Sequence, residues 1–149
     1  MIEIMLDTNI YDKLIENKEL LDLLINLIET KKIIIITTHV QENEVKKIRN
    51  KLKKDKIRRI PRQIIPTNAA VWGFSELGSS SWGGGYLKET NHSNKLSDAM
   101  IGSTAFSKAD ILVTEDIKFY NKMLINSNKF NLKCLKFDDF KTFILELSL

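Results

Sequence analysis

The sequence predicts an α/β fold, a single domain built on a small, mostly parallel sheet flanked by helices. Three observations lead there. The apolar runs Met1 to Leu6, Ile33 to Thr37 and Ile111 to Val113 are too short for helices. They are also largely free of the apolar–polar alternation of a half-exposed strand, as expected of strands covered on both faces. Between the first two lies Lys18 to Thr30, with Leu20, Leu24, Leu27 and Ile28 on one helical side. A strand, helix, strand unit of that length favours a right-handed parallel crossover.

Taken in order, Met1 to Leu6 is the first strand, and it ends at Asp7, where the chain hands over to a helix. After the Lys18 to Thr30 helix and the isoleucine strand, a further helix is expected from His39 or Val40 until just before Pro61. Val45, Ile48 and Leu52 define its buried stripe, and basic residues cover the rest. Residues 61–94 form the least regular stretch, with both prolines, both tryptophans and five of the six glycines, and they read as an irregular insertion in one domain spanning 1–149. A helix follows over Asp98 to Lys108, with Ser97 as its N-cap and with Ala99, Ile101, Gly102 and Ala105 suited to close packing. The third strand is Ile111 to Val113. A helix over Ile117 to Ile125, a fourth strand over Leu132 to Phe137 and a closing helix over Asp139 to Leu147 complete the chain.

The single Cys134 excludes an internal disulfide framework and a cysteine zinc cluster, which fits a reducing cytosol. Its simplest role is that of a small buried hydrophobe. The N-terminal residues, which include Glu3 and Asp7, lack the pattern of a signal peptide, and no apolar run reaches membrane-spanning length. A cytoplasmic protein without a membrane partner is expected. Charge is distributed unevenly: Lys46 to Arg62 holds ten Lys or Arg against Asp55 alone, a local balance of +9, so the remainder carries −5 of the net +4. A basic face beside an acidic site suits an enzyme acting on a polyanion, with Lys46, Lys47, Lys53, Lys54, Lys56, Arg58 and Arg59 as RNA-binding candidates. The same segment is also compatible with a merely solvated helix in a Lys-rich chain.

Three acidic positions suggest a site. Asp7 sits at a strand exit, where ligands bind in open α/β sheets and a carboxylate avoids full burial. Asp98 falls in the first turn of its predicted helix, and Glu115 and Asp116 lie just past the third strand. Converging carboxylates suit hard divalent cations such as Mg²⁺ or Mn²⁺, which can activate a water for attack on a phosphodiester. Singly, each acid is also explained as a surface residue or as favourable charge at a helix start.

At these residues the sequence resembles the PIN domain family of metal-dependent ribonucleases, which includes VapC-type toxins of toxin–antitoxin pairs. Leu6-Asp7-Thr8-Asn9 is similar to the family's first acidic motif, Ser97 to Ala105 to its Asp-Ala-x-Ile-Ala helix, and Val113-Thr114-Glu115-Asp116 to its last motif. The resemblance implies a three-layer α/β/α fold with a small, mostly parallel central sheet. It also implies a Mg²⁺- or Mn²⁺-dependent endoribonuclease, RNA as substrate and a small antitoxin as partner. It assigns Asp7, Glu44, Asp98 and Asp116 as the acidic quartet, with Asp7, Asp98 and Asp116 on the metal and Asn9 and Thr114 in support. Glu42 is the alternative to Glu44. Glu115 departs from the usual Asn or Asp of the last motif, and its role as ligand, supporting group or solvated acid stays open. A non-catalytic RNA-binding or antitoxin-binding module is the alternative function.

Gly83-Gly84-Gly85 lacks the Gly-Lys-Ser/Thr ending of a phosphate loop. A nucleophilic-aspartate phosphatase would need an acid two residues after Asp7, where Asn9 stands. Trp72, Trp82 and Tyr86 fit base stacking, a homodimer contact or a cover for the sheet. His39 and His92 show no ligand spacing.

Overall fold

The computed structural model describes residues 1–66 and 93–149, with side chains in the second stretch described from 98 onward. Five strands, β1 (Ile2–Leu6), β2 (Ile33–Thr38), β3 (Gln63–Ile65), β4 (Ile111–Val113) and β5 (Lys133–Leu135), form one sheet in the order β3-β2-β1-β4-β5. All four pairings are parallel. Seven α-helices accompany them among the described residues: α1 (Thr8–Glu16), α2 (Lys18–Glu29), α3 (His39–Lys46), α4 (Lys51–Arg58), α5 (Ser93–Lys108), α6 (Ile117–Ser127) and α7 (Phe137–Ser148).

The period-2 geometry of the strands divides their side chains between two cores. Ile4, Leu6, Ile33, Ile35 and Val113 enter one core with Tyr11, Leu14, Leu24, Val45, Ile57 and Phe140 from α1, α2, α3, α4 and α7. Met5, Ile36, Leu112 and Cys134 enter the other with Ile101 and Ala105 of α5 and Phe119 and Met123 of α6. A one-residue slip of β1 against β2 would exchange those faces, so burial fixes the observed register of Ile4 with Ile35. The expected three layers are present, and the central sheet is parallel throughout its described strands.

Several boundaries differ from expectation. The chain enters a helix directly after Asp7, as expected, while the helix read from Lys18 is preceded by this separate α1, which ends at Asn17. Asn17 donates its backbone N–H to the Leu14 carbonyl at 3.1 Å, while its side chain caps α2 by accepting from the Leu20 N–H at 3.1 Å. The basic helix is two helices: the Asn50 side chain accepts from the Lys53 N–H at 3.1 Å and starts α4 afresh. That restart rotates Leu52 out of the expected stripe, leaving it 75% exposed, and Ile57 fills the core instead. Residues 63–65, expected to be irregular, extend the sheet as β3. Helix α5 begins at Ser93, so Ser97 lies inside the helix and Asp98 beyond its first turn. Strand β5 stops at Leu135, and Phe137 already belongs to α7, with its side chain in the core. No described helix is long and apolar enough to cross a membrane.

Candidate active site

The carboxyl ends of β1 and β4 and the starts of α1 and α6 meet at one edge of the sheet. Asp7 occupies the turn from β1 into α1 as the N-cap, where its Oδ1 accepts the Thr8 N–H at 2.8 Å. Its Oδ2 accepts the Thr114 hydroxyl at 2.6 Å, a bond across the two central strand exits. The Thr114 oxygen also accepts the Asp116 N–H at 3.2 Å, so one fully buried hydroxyl joins both motifs. Asp116 caps α6 through the Phe119 N–H at 3.1 Å. Burial raises the Asp7 carboxyl pKa above its usual value; the bonds from Thr114 and Thr8 act in the opposite direction, and the fields of Glu44 and Asp116 raise it further.

Helix α3 brings the fourth acid from the neighbouring strand. Its start is set by Gln41, which is completely buried. The Thr38 side chain accepts the Gln41 N–H at 3.2 Å and the Gln41 Oε1 accepts the Thr38 N–H at 3.0 Å, a reciprocal capping box. The Gln41 amide then donates to the Leu6 carbonyl at 2.6 Å, one residue before Asp7. One turn further along α3, the Glu44 carboxylate accepts the Thr8 hydroxyl. Glu42 lies elsewhere: Arg62 Nε is 3.0 Å from its carboxylate, and a second guanidinium nitrogen donates at 3.3 Å.

Asp98 comes from α5, on the opposite layer. Helix α6 packs closely on α5 at Gly102, where a Cβ would lie 2.8 Å from Met123 Sδ and 3.3 Å from Phe119 Cε2. Asp98 is one turn before that glycine and half-buried. Its carboxyl pKa is pushed up to about 7, first by burial and then by the fields of Asp7, Asp116 and Glu44, while Lys122 lowers it. The fields of Glu44 and Asp116 thus act on both Asp7 and Asp98, and the four acids come from four places in the fold on both sides of the sheet.

Other predicted residues take different places. Glu115 accepts the Phe137 N–H at 2.7 Å and pairs with Lys13 at 3.5 Å, so it caps α7, whose own preceding residue Lys136 supplies no cap. Asn9 meets the Glu115 backbone N–H at 3.5 Å rather than a carboxylate. In the basic segment, Lys53 pairs with Asp12 at 2.7 Å and Lys54 donates to the Lys46 carbonyl at 2.8 Å. Lys46, Lys47, Lys56, Arg58 and Arg59 are exposed. His39 is exposed, and Cys134 is buried with its thiol pKa raised to about 11 by that burial. Trp72, Trp82, Tyr86, His92 and the triple glycine lie outside the described residues. Thr8, Gln41 and Lys122 join the site without having been expected there; Thr38-x-x-Gln41 carries a readable capping-box pattern, whereas nothing in the sequence singles out Lys122.

Among the described residues, no three acid, histidine or cysteine side chains are set close enough together to hold a metal ion as they stand. The donor chemistry nonetheless fits a hard divalent cation. Four carboxylates come to the same carboxyl end of the sheet as oxygen donors, and burial, with the fields of neighbouring acids, has raised the pKa values of Asp7 and Asp98, a charge excess that a cation offsets.

No protein-family model and no curated protein sequence matches the chain. Among solved structures, it is similar to the crystal structure of VapBC2 from Rickettsia felis bound to a DNA fragment from their promoter. The TM-score is 0.57 at 22% sequence identity, covering 91% of this chain and 98% of that one. This likeness shows the fold, a PIN-like three-layer α/β/α architecture.

Proposed function

We propose that the chain is a Mg²⁺- or Mn²⁺-dependent endoribonuclease, the toxin of a toxin–antitoxin pair. The observation that carries this reading is the meeting of Asp7 and Asp116 on the Thr114 hydroxyl at the sheet's carboxyl edge, with Glu44 bonded to Thr8 beside them and Asp98 within their fields. Asp7, Asp98 and Asp116 would hold the metal, and Glu44 would hold it or orient the attacking water. Bound metal supplies charge neutralisation at the phosphate and a more acidic water. The chain's own contribution is positional: Thr114 and Thr8 fix the Asp7 and Glu44 carboxylates, and Gln41 ties α3 to the β1 exit. The fold shared with one component of a VapBC2 complex supports the toxin setting, and with it a small antitoxin partner in the cytoplasm.

With Mn²⁺ the purified protein should cut RNA internally, and both EDTA and Asp98→Asn should stop cleavage while the circular-dichroism spectrum stays folded. Cleavage that persists in EDTA, or in Asp98→Asn, rejects the metal mechanism. A folded wild type that binds RNA without cutting any RNA pool would favour the non-catalytic module.

A further inference from the structure

The pair formed by Arg62 and Glu42 takes no part in the chemistry proposed above, yet it grips the helix that carries Glu44. Arg62 stands between α4 and β3, and the two side chains are only 8% and 17% exposed. The guanidinium reaches three helices. On α3, its Nε lies 3.0 Å from the Glu42 carboxylate and a second nitrogen donates to Glu42 Oε2 at 3.3 Å. On α4, Nη1 donates to the Ile57 carbonyl at 2.7 Å. On α1, the guanidinium carbon lies 5.4 Å from the centroid of the buried Tyr11 ring, one turn after Thr8. We infer that Arg62 is a positioning residue for Glu44: through Glu42 it fixes the roll of α3 against α1, and so holds the Glu44 carboxylate at Thr8, next to Asp7. The inference rests on the ribonuclease reading.

Helix α3 needs such a tether because apolar packing holds it weakly. It has eight residues, of which Gln41 and Val45 are buried. A helix with so narrow a buried stripe rolls about its axis at small cost unless directional bonds fix it. Gln41 supplies one, to the Leu6 carbonyl, and Glu42, about 100° further round, supplies another. Glu44 stands about 200° from Glu42, so a roll that releases Glu42 swings the Glu44 carboxylate away from the Thr8 hydroxyl. Thr8 and Tyr11 are three residues apart on α1 and share a side of it. The two helices are therefore joined twice, directly at Thr8 and Glu44 and through Arg62 at Tyr11 and Glu42. Arginine suits this task because its planar guanidinium carries five N–H donors in a fixed fork. Lys47, Lys56, Arg58 and Arg59 of the same basic segment are exposed, whereas Arg62 is turned inward.

The test compares Mn²⁺-dependent RNA cleavage by two variants, Arg62→Met combined with Glu42→Met, and Arg62→Lys, each assayed below its melting temperature. Replacing a buried ion pair by apolar side chains of similar size is often neutral for stability, but apolar contact has no direction. The double variant should thus stay folded and lose its hold on α3. Its kcat should fall roughly tenfold or more with KM unchanged, since a misplacement of about 1 Å can cost about a hundredfold. Arg62→Lys, which keeps the charge opposite Glu42 without the fork, should lose a smaller share and covers the case in which the double variant does not fold. Glu42→Gln alone keeps an amide oxygen for the guanidinium, so it weakens the pair without freeing the helix. In a Glu44→Gln background the double change should cost no further kcat, because the group it positions is already gone. Folded variants with wild-type kcat overturn the inference, as does an equal loss in the Glu44→Gln background. A raised KM with kcat kept would make Arg62 an RNA contact instead. In each of these cases the ribonuclease reading stands; a wild type that cuts no RNA fails that reading and takes this inference with it.

Discussion

Glu42 and Glu44 stand two residues apart on α3 and meet different partners, the first Arg62 and the second the Thr8 hydroxyl. About 200° of helix separates them, so one helix cannot aim both at the same point. Glu44→Gln should therefore remove most Mn²⁺-dependent cleavage with little change in melting temperature. Glu42→Gln should instead lower the melting temperature, because it weakens a mostly buried ion pair, and keep most of the cleavage. Measuring kcat and Tm for both variants checks this, and the reverse pattern would move the fourth acid to Glu42. Thr114→Val should affect both quantities. It keeps the shape but leaves the Asp7 Oδ2 without its 2.6 Å donor, at a cost of about 1–3 kcal/mol for a buried acceptor. A valine variant as stable and as active as wild type would show that the hydroxyl does not hold the carboxylate.

Glu115 is adjacent to Asp116 and acts on a different element, as the cap of α7. Glu115→Ala should cost about 1 kcal/mol of stability, typical of a lost cap, and spare cleavage measured well below its melting temperature. Loss of cleavage without loss of stability would return Glu115 to the site. This role could not be read in the sequence, because Glu115 and Phe137 are 22 positions apart and are brought together by the alignment of β4 with β5. The strands with uninterrupted Ile, Leu and Val were legible, since burial on both faces leaves no polar alternation. Strand β3 was not, because Gln63-Ile64-Ile65 is short, largely exposed and next to Pro61. The break between α3 and α4 carried a signal in Asn50, overridden by the apparent continuity of Val45, Ile48 and Leu52. At the site, Asp7 and Asp116 announced themselves by following apolar runs. Gln41 and Lys122 depend on contacts between distant segments, which a linear pattern does not contain.

Across the whole molecule, the coupled acids make stability depend on pH and metal together. Asp98 has a folded pKa of about 7 against an ordinary value of 3.8, and Asp7 is raised as well. A carboxyl with a raised folded pKa binds its proton more tightly in the folded chain. Its stabilising contribution is full below the unfolded value and is lost as pH rises through the folded one, here over about pH 4 to 7. The metal-free protein should accordingly have lost this contribution by about pH 8, above both values. Divalent metal competes with those protons, so its benefit should be larger at about pH 8 than at about pH 5.5. At a concentration about a hundred times its Kd, a ligand adds about 2.7 kcal/mol. For a chain of this size that corresponds to roughly 5–10 °C in Tm. Differential scanning fluorimetry at both pH values, with and without saturating Mn²⁺, measures the difference. An equal shift at the two pH values would mean that Mn²⁺ binds away from Asp7 and Asp98. An Asp98→Asn variant that keeps the full shift at the higher pH would exclude Asp98 alone from the metal's ligands.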